Sequence, residues 1–433
     1  NEPCSYPARW TGLLLCGRMG RSRRYETSLV AILFFTWGTV FLGRMSALYL
    51  TPYFAPEFHL SHGQVGSVAS ALAITWAAST FIFGALSDRV GRKPVLVPAV
   101  FAFSILSWAS GLAHNFHQLL LVRALMGAAG GPAWSTMTAL IEESSPPDRR
   151  GRNIGLVVSA AALVGLAAAP VLTTQLAAHW GWRSAFFLAG VPGLVMTVLL
   201  WKFIDEPAAI VHEKPSLSEY LSILRYRNIW LCCLGAAGFM SWLFAVNVFA
   251  PLYITEVVHE SATTAGFLLG ASGLGSFFLG FLLPSLSDRW GRKPVLLMMA
   301  AMSAVVPLAF LVPVLYVYPV LLAFIVCVAN SGQGIASVVL VLVPTESVPA
   351  QFRATSIGLA TLSGEVMGAT AAPILAGTLA QEHGLAVTMW LAVAGSGLLF
   401  VVSLFLRETG PAALLAINSS ITTRGPEQPD AGD

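Results

Sequence analysis

The chain of 433 residues is 56% hydrophobic and only 10% charged, and its mean hydropathy is +0.73. A composition this apolar excludes an ordinary soluble domain. The net charge of +3 is small and its basic residues are scattered, which gives no indication of a nucleic-acid partner. We find no pattern of nucleophile, base or metal ligands, so we predict neither an enzyme nor a metal or cofactor site.

Apolar windows of about 20 residues, the length that one helical membrane crossing requires, recur twelve times along the chain. The expected fold class is an all-α integral membrane protein with twelve transmembrane helices. The predicted spans of the first half are 29–54, 64–86, 95–113, 118–141, 153–177 and 184–204. Those of the second half are 229–253, 263–286, 295–316, 320–344, 354–379 and 386–406.

These spans divide the chain into five parts. We predict a disordered tail (1–24), an amino-terminal six-helix bundle (25–204), a central loop (205–227), a carboxy-terminal six-helix bundle (228–407) and a second disordered tail (408–433). Nearly all Lys and Arg residues outside the spans fall on one side of this scheme, and only Arg183 falls in an opposite loop. Since basic residues near short loops are retained in the cytoplasm, we predict a multi-pass cell-membrane protein with both termini cytoplasmic.

The chain contains an internal repeat. The segment LSDRVGRKPVL at 86–96 returns as LSDRWGRKPVL at 286–296. A sparser echo follows, because Glu143 and Arg150 have the same spacing as Glu346 and Arg353. A repeat spanning nearly half the chain indicates two similar bundles in tandem, which is typical of many secondary transporters.

The repeated loop resembles a signature of the major facilitator superfamily. The matching residues are Asp88, Arg89, Gly91, Arg92 and Lys93, and residues 288–293 resemble the second copy. The resemblance extends over about residues 29–406 and implies two pseudo-symmetric bundles around a central substrate cavity, with alternating access by rocking. We expect a monomer in contact with membrane lipid.

Opposite charges in the two loops are expected to latch that side when it closes. The alternative is a purely topological role for the basic residues, and Gly91 and Gly291 are tight-turn positions in either case. The predicted gating residues are Asp88, Arg89, Gly91, Arg92, Lys93, Glu143, Arg150, Asp288, Arg289, Gly291, Arg292, Lys293, Glu346 and Arg353.

Three ionisable residues lie at membrane depth: Arg44, Arg123 and Glu365. A charge in hydrocarbon costs at least about 2.5–3.5 kcal/mol unless it faces a cavity or a partner. Arg44 and Arg123 are expected to be unpaired and to form a positive site that binds an anion such as a carboxylate. The alternatives are that Arg44 extends to the membrane surface and that Arg123 is a structural hydrogen-bond hub.

Arg44 and Arg123 also match two arginines of the organic-anion branch of the superfamily, which contact the substrate. This chain departs from that branch at Gly43 and Gly130, where acidic residues are usual. Glu365 is the candidate replacement as proton carrier. If it pairs with Arg44 or Arg123, it competes with an anionic substrate, and its protonation releases the site. The alternative is a neutral glutamate hydrogen-bonded between helices.

The function predicted is secondary transport of a small organic anion, a carboxylate or sugar acid, by proton-coupled symport, with transport driven by the substrate gradient alone as the alternative. One alternative is a drug/proton antiporter, because Arg123 followed by Gly127 resembles its fourth-span signature, and a remote one is a non-transporting receptor. The partners expected are the substrate, the proton and lipid. Further predicted substrate contacts are Tyr49, Trp76, Asn247, Asn330 and Gln333.

Overall fold

A computed structural model describes residues 23–146, 149–206, 222–349 and 352–410. The predicted tail at 1–24 lies almost wholly outside the described residues. So do most of the central loop at 205–227 and nearly all of the tail at 408–433. Within the described ranges the chain is helical, and twelve long helices follow one another in two sets of six.

The first six helices are α1 (Arg23–Tyr49), α2 (His62–Val90), α3 (Lys93–Gly111), α4 (Phe116–Ser144), α5 (Arg150–Trp180) and α6 (Trp182–Phe203). The second six are α7 (Arg227–Val257), α8 (Ala262–Trp290), α9 (Arg292–Phe310), α10 (Pro319–Glu346), α11 (353–383) and α12 (Ala386–Phe405). A short helix, Thr51–Glu57, follows α1. The expected all-α architecture with twelve long helices is confirmed.

Eleven of these helices are long and apolar enough to cross a membrane, and α4 falls below that criterion. Its apolarity is reduced by Arg123 and by Gly127, Gly130 and Gly131. The glycines are needed for packing: a Cβ at Gly127 would overlap the Leu72 carbonyl of α2. Small residues let two helix backbones approach closely in a membrane, so α4 gains contact with α2 where it loses hydropathy.

Side-chain caps explain where three of the helices begin. Ser61 caps α2 in a capping box with Gln64, and Ser261 caps α8 at the equivalent place in the second half. Asn115 caps α4. Each of these side chains accepts a hydrogen bond from a backbone N–H that the first helical turn leaves without a partner.

The two bundles contact each other at the end opposite the repeated loops. There a Cβ at Gly66 would overlap the Pro373 carbonyl, and one at Gly273 would overlap Leu166. The imidazole of His62 also lies 3.2 Å from the Glu256 carboxylate across the same interface. At the end that carries residues 88–93 and 288–293, which we call the loop end, the ion pairs of the described residues join elements of a single bundle.

Two π-helical turns occupy equivalent positions in the halves, Ala161–Ala168 in α5 and Gly364–Ala371 in α11. Each is followed by a proline near the start of the next α-helical segment, Pro170 or Pro373. A π-turn widens the helix locally and is frequent at functional sites. The turn of α11 carries Glu365, so this carboxyl group lies on a locally irregular backbone.

Candidate functional site

The centre of the molecule holds an ion pair that joins the two bundles. Arg44 of α1 donates from Nη2 to both carboxylate oxygens of Glu365 of α11, at 3.0 and 2.7 Å. Only 4% and 6% of the two side chains is exposed. The expectation that Arg44 is unpaired was therefore wrong. A buried charge without a partner is unstable, and the nearest carboxylate supplies the partner from the other bundle.

Aromatic rings enclose the Arg44 guanidinium. Its Cζ lies 4.5 Å from the centre of the Trp76 ring, 5.2 Å from that of Phe244 and 5.6 Å from that of Phe41. Such contacts stabilise a cation by about 0.5–2 kcal/mol each. Among the described residues, the buried Nε of Arg44 has no hydrogen-bond partner. The guanidinium therefore keeps an unused donor at Nε.

Arg123 of α4 binds the backbone next to this pair. It donates to the carbonyl oxygens of Gly43 at 3.2 Å and Arg44 at 2.6 Å, and its residue is only 1% exposed. This is the hydrogen-bond hub foreseen as the alternative to a direct anion contact. Arg123 is a positioning residue, because it fixes the segment of α1 from which the Arg44 side chain extends. No carboxylate pairs with it among the described residues.

The other predicted substrate contacts mostly hold the fold together. The Tyr49 hydroxyl donates to the Asn247 side chain at 2.9 Å and so links the bundles. Asn330 donates to Ser272 at 2.7 Å and accepts from the Gly332 N–H at 2.9 Å, where α10 is interrupted. The polar side-chain atoms of Tyr49, Asn247 and Asn330 are thus occupied, and the described hydrogen bonds of Gln333 involve its backbone. Among the described hydrogen bonds, neither Asn330 nor Gln333 reaches the ion pair. Trp76, by contrast, contacts it directly.

Two features near the ion pair were not predicted from the sequence. Ser70 of α2 donates to the Thr370 carbonyl at 2.6 Å, and Thr370 donates to the Glu365 carbonyl at 2.8 Å, which ties the π-turn of α11 to the other bundle. Phe244 was also missed. The spacing of the two repeated loops makes Phe244 the counterpart of Arg44 in the second half. The repeat could therefore have identified Phe244 from the sequence.

The two copies of the repeated loop build the same cluster twice. Arg92 pairs with Asp88 at 2.6 Å and Glu143 at 2.7 Å. Arg292 pairs in the same way with Asp288 and Glu346. Burial opposes the charged form of Arg92, but the hydrogen bonds with Glu143 and Asp88 outweigh it and raise the pKa of Arg92. Arg92 therefore stays positively charged at any physiological pH.

Two acidic residues that the sequence reasoning missed complete these clusters. Glu206 accepts from the backbone N–H groups of Arg92 and Lys93, and Glu408 does the same for Arg292 and Lys293. Each carboxylate thus neutralises the positive end of a helix, α3 or α9. The signal was their equivalent place just after α6 and α12. Lys93 donates in turn to the carbonyl of Ile204, just after α6, and Lys293 donates to that of Leu404, in the last turn of α12.

The remaining predicted gating residues have other surroundings. Glu143 pairs with Arg92, and Arg150 contacts Glu142 at 3.4 Å instead. Arg89, Arg289 and Arg353 are exposed, and the described ion pairs do not include them. Because Arg92 already pairs with Glu143, the long, flexible Arg150 side chain contacts Glu142. The gating role of all these residues stays a prediction, because the observed pairs lie within one bundle.

Gly91 and Gly291 are tight-turn positions, as expected, with φ of +103° and +99°. A Cβ at Gly91 would also lie 2.6 Å from a carboxylate oxygen of Glu206. Gly181 has φ of +82°, but a Cβ built there would meet no other atom of the described residues within 4 Å. We expect Gly91→Ala to lower the thermal unfolding temperature more than Gly181→Ala does. Both pay about 1–3 kcal/mol of backbone strain, but only the first also displaces Glu206. Equal losses would show that the Glu206 contact adds no stability.

Comparison with known proteins identifies the family to which the chain belongs. Residues 32–372, most of the chain, match the Major Facilitator Superfamily. The chain belongs to this superfamily. As a Major Facilitator Superfamily member it is a multi-pass membrane transporter and not an enzyme.

Several superfamily relatives are similar to the chain over much of its length. A probable 4-methylmuconolactone transporter of Cupriavidus pinatubonensis is 27% identical over 79% of this chain and 81% of the relative. A hexuronate transporter of Bacillus subtilis is 28% identical over 63% of this chain and 68% of the relative. Among solved structures, a bacterial homologue of the human lysosomal transporter Spinster has a TM-score of 0.71 at 19% identity. It covers 88% of this chain and 98% of its own, which supports the fold.

Proposed function

We propose that the protein is a proton-coupled secondary transporter of small organic anions, a carboxylate or sugar acid. The observation that carries the proposal is the charge of the central cluster. Arg44 and Arg123 contribute two buried guanidinium groups, and Glu365 contributes the one carboxylate that pairs with either of them among the described residues. The cluster thus keeps one excess positive charge in a region where charge is costly, which favours binding of an anion.

The anion and the proton compete for the same ion pair. A substrate carboxylate that takes Arg44 displaces Glu365, and a proton on Glu365 likewise releases Arg44. Nη2 of Arg44 serves both Glu365 oxygens while Nε is unused, so the incoming carboxylate can form the two parallel hydrogen bonds that Glu365 does not. Binding of the anion is therefore favoured when Glu365 is protonated, which couples the two fluxes.

The position of the pair also links binding to movement. Arg44 belongs to the amino-terminal bundle and Glu365 to the other, so either event removes a contact between the bundles. A ligand shifts a conformational equilibrium by its difference in affinity for the two states. We propose that the bundles rock in this way. The loop end then faces the cytoplasm with both termini, and Asp88, Asp288 and their partners gate it.

Printed names of two relatives agree with this substrate class, since hexuronate is a sugar acid and both proteins are transporters. The test is uptake by purified protein in proteoliposomes from a panel of carboxylates, neutral sugars and cationic dyes, with and without a pH gradient. We expect uptake of carboxylates alone, stimulated by an inward proton gradient. Preference for sugars or dyes, unaffected by Arg44→Ala, would reject the proposal.

Close contacts between the bundles provide a separate test of the proposed rocking. A Cβ at Gly273 of α8 would overlap Leu166 of α5 in the other bundle, whereas a Cβ at Gly397 of α12 would meet no atom of the described residues within 4 Å outside its own helix backbone. We expect Gly273→Ala to destabilise the closed end opposite the loops and to slow transport, and Gly397→Ala to leave both unchanged. The measurement is labelling by a membrane-impermeant thiol reagent of a single cysteine at Ala69, a residue buried in the closed end, in a protein whose native cysteines are replaced. Faster labelling in Gly273→Ala is predicted, and equal labelling in both variants would contradict rocking about this contact.

A further inference from the structure

A row of tryptophans leads from Arg44 toward the loop end. Trp76 stacks on the guanidinium at 4.5 Å, and the centre of the Trp37 ring lies 6.1 Å from that of Trp76. The Trp134 ring follows at 5.0 Å from Trp37. Trp76 and Trp37 are buried and Trp134 is half-buried, so the row begins at a partly accessible ring and ends at the buried cation. We call these three residues the tryptophan row.

Free hydrogen-bonding groups are scarce around the same cation. Phe41 and Phe244 cover it on further sides. The neighbouring hydroxyls of Tyr49 and Thr370 already donate to Asn247 and to the Glu365 carbonyl. Among the described residues, the buried side-chain atoms without a hydrogen-bond partner include Nε of Arg44 and of Arg123, Oγ1 of Thr136 and the indole Nε1 of Trp37. Only the Trp37 donor belongs to the tryptophan row.

We propose that the anion carried at Arg44 is a planar aromatic or conjugated carboxylate and not a polyhydroxylated sugar acid, an inference that rests on the proposed function. The carboxylate replaces Glu365 on Arg44, and the flat body of the molecule lies along the tryptophan row. Aromatic faces attract another flat π-system beyond simple burial of area. A sugar acid, in contrast, carries several hydroxyls, and most of them lose their water among these rings without gaining a partner, which is strongly disfavoured.

The unpartnered Trp37 N–H refines the substrate chemistry. A buried indole N–H usually has an acceptor, so the acceptor here is supplied by the ligand. The substrate therefore carries an oxygen on its planar body, such as a ring hydroxyl or carbonyl, at a distance from the carboxylate that spans Arg44 to Trp37. Replacement of Trp37 by Phe keeps the ring and removes only this donor.

The test is calorimetric binding to the purified full chain with four matched probes: 3-phenylpropionate, 3-cyclohexylpropionate, D-glucuronate and neutral 3-phenylpropanol. We expect 3-phenylpropionate to bind about 3- to 10-fold more tightly than its saturated analogue. D-glucuronate should bind about 100-fold more weakly or not at all. Trp134→Leu, which keeps an apolar side chain at the accessible end of the row, should remove the preference for the aromatic ring.

The probes separate failure of this inference from failure of the proposed function. D-glucuronate binding as tightly as 3-phenylpropionate, with loss in Arg44→Ala, would overturn the aromatic selectivity and leave the anion transporter standing. Equal binding of 3-phenylpropanol would overturn both. The unaltered protein should bind a ring-hydroxylated phenylpropionate more tightly than the unsubstituted acid, and Trp37→Phe should bind the two equally. An unchanged advantage would overturn the role of the indole N–H.

Discussion

Glu365→Gln is expected to abolish accumulation of the anion driven by a proton gradient, while exchange of labelled for unlabelled anion continues. Glutamine is close to the protonated glutamate in shape and cannot carry a proton. Arg44 in this variant is permanently released from its carboxylate, so the anion binds but its movement is no longer linked to pH. The measurement is uptake into proteoliposomes under an imposed gradient, followed by counterflow with both sides at one pH.

Glu382→Gln is the matched control, because Glu382 is an exposed acid on the same helix, α11. It should accumulate the anion as the unaltered protein does. Unchanged accumulation in Glu365→Gln would remove Glu365 as the coupling group. Loss of exchange as well as accumulation would show that the carboxylate is needed for folding or binding and not for coupling.

Arg44→Ala is expected to eliminate anion binding and to destabilise the protein. Removing one partner of a buried ion pair leaves the other charge uncompensated, which costs about 3–5 kcal/mol. The effect is measurable as a lower unfolding temperature, together with a loss of affinity for the tightest carboxylate of about 100-fold or more. The partly exposed pair of Arg183 with Glu57 is the control. Arg183 also stacks on Trp182 and donates to the Ala113 carbonyl, so we expect Arg183→Ala to destabilise the protein less than Arg44→Ala does and to leave anion binding unchanged.

The double variant Arg44→Ala with Glu365→Gln separates stability from binding. Because the double change removes both charges of the pair, neither is left facing the other's empty place. We therefore expect much of the lost stability to return, while anion binding stays absent. A double variant as unstable as the sum of the two single changes would contradict direct coupling between these side chains. Recovery of anion binding would show that the anion site lies elsewhere.

The sequence predicted the architecture well because its signals are local and repeated. Apolar windows predict the helices, and the paired loops at 86–96 and 286–296 predict the two bundles with their glycine turns. Residues 321 positions apart form the central pair, and nothing local links them. Depth in the membrane identified Arg44, Arg123 and Glu365 as a set, but pairing depends on how two bundles meet.

The differences at the site have a common physical cause. Arg123 was expected to bind the anion, but both of its Nη atoms donate to carbonyl oxygens of α1, which the long arginine side chain reaches from α4. Asn330 was expected to contact substrate, but a break in α10 needs its side chain as a cap. A backbone irregularity of this kind has no clear sequence signal, so polar residues at membrane depth are easily assigned to substrate.

Proton uptake during anion binding tests the central claim most directly. If the anion displaces Glu365 from Arg44, the released carboxylate in its buried site binds a proton. We therefore expect uptake of about one proton per bound anion. Calorimetry of the tightest carboxylate in buffers of different ionisation enthalpy measures this number. The account predicts proton uptake in the unaltered protein and none in Glu365→Gln, and the same uptake in both, or none in either, would contradict it.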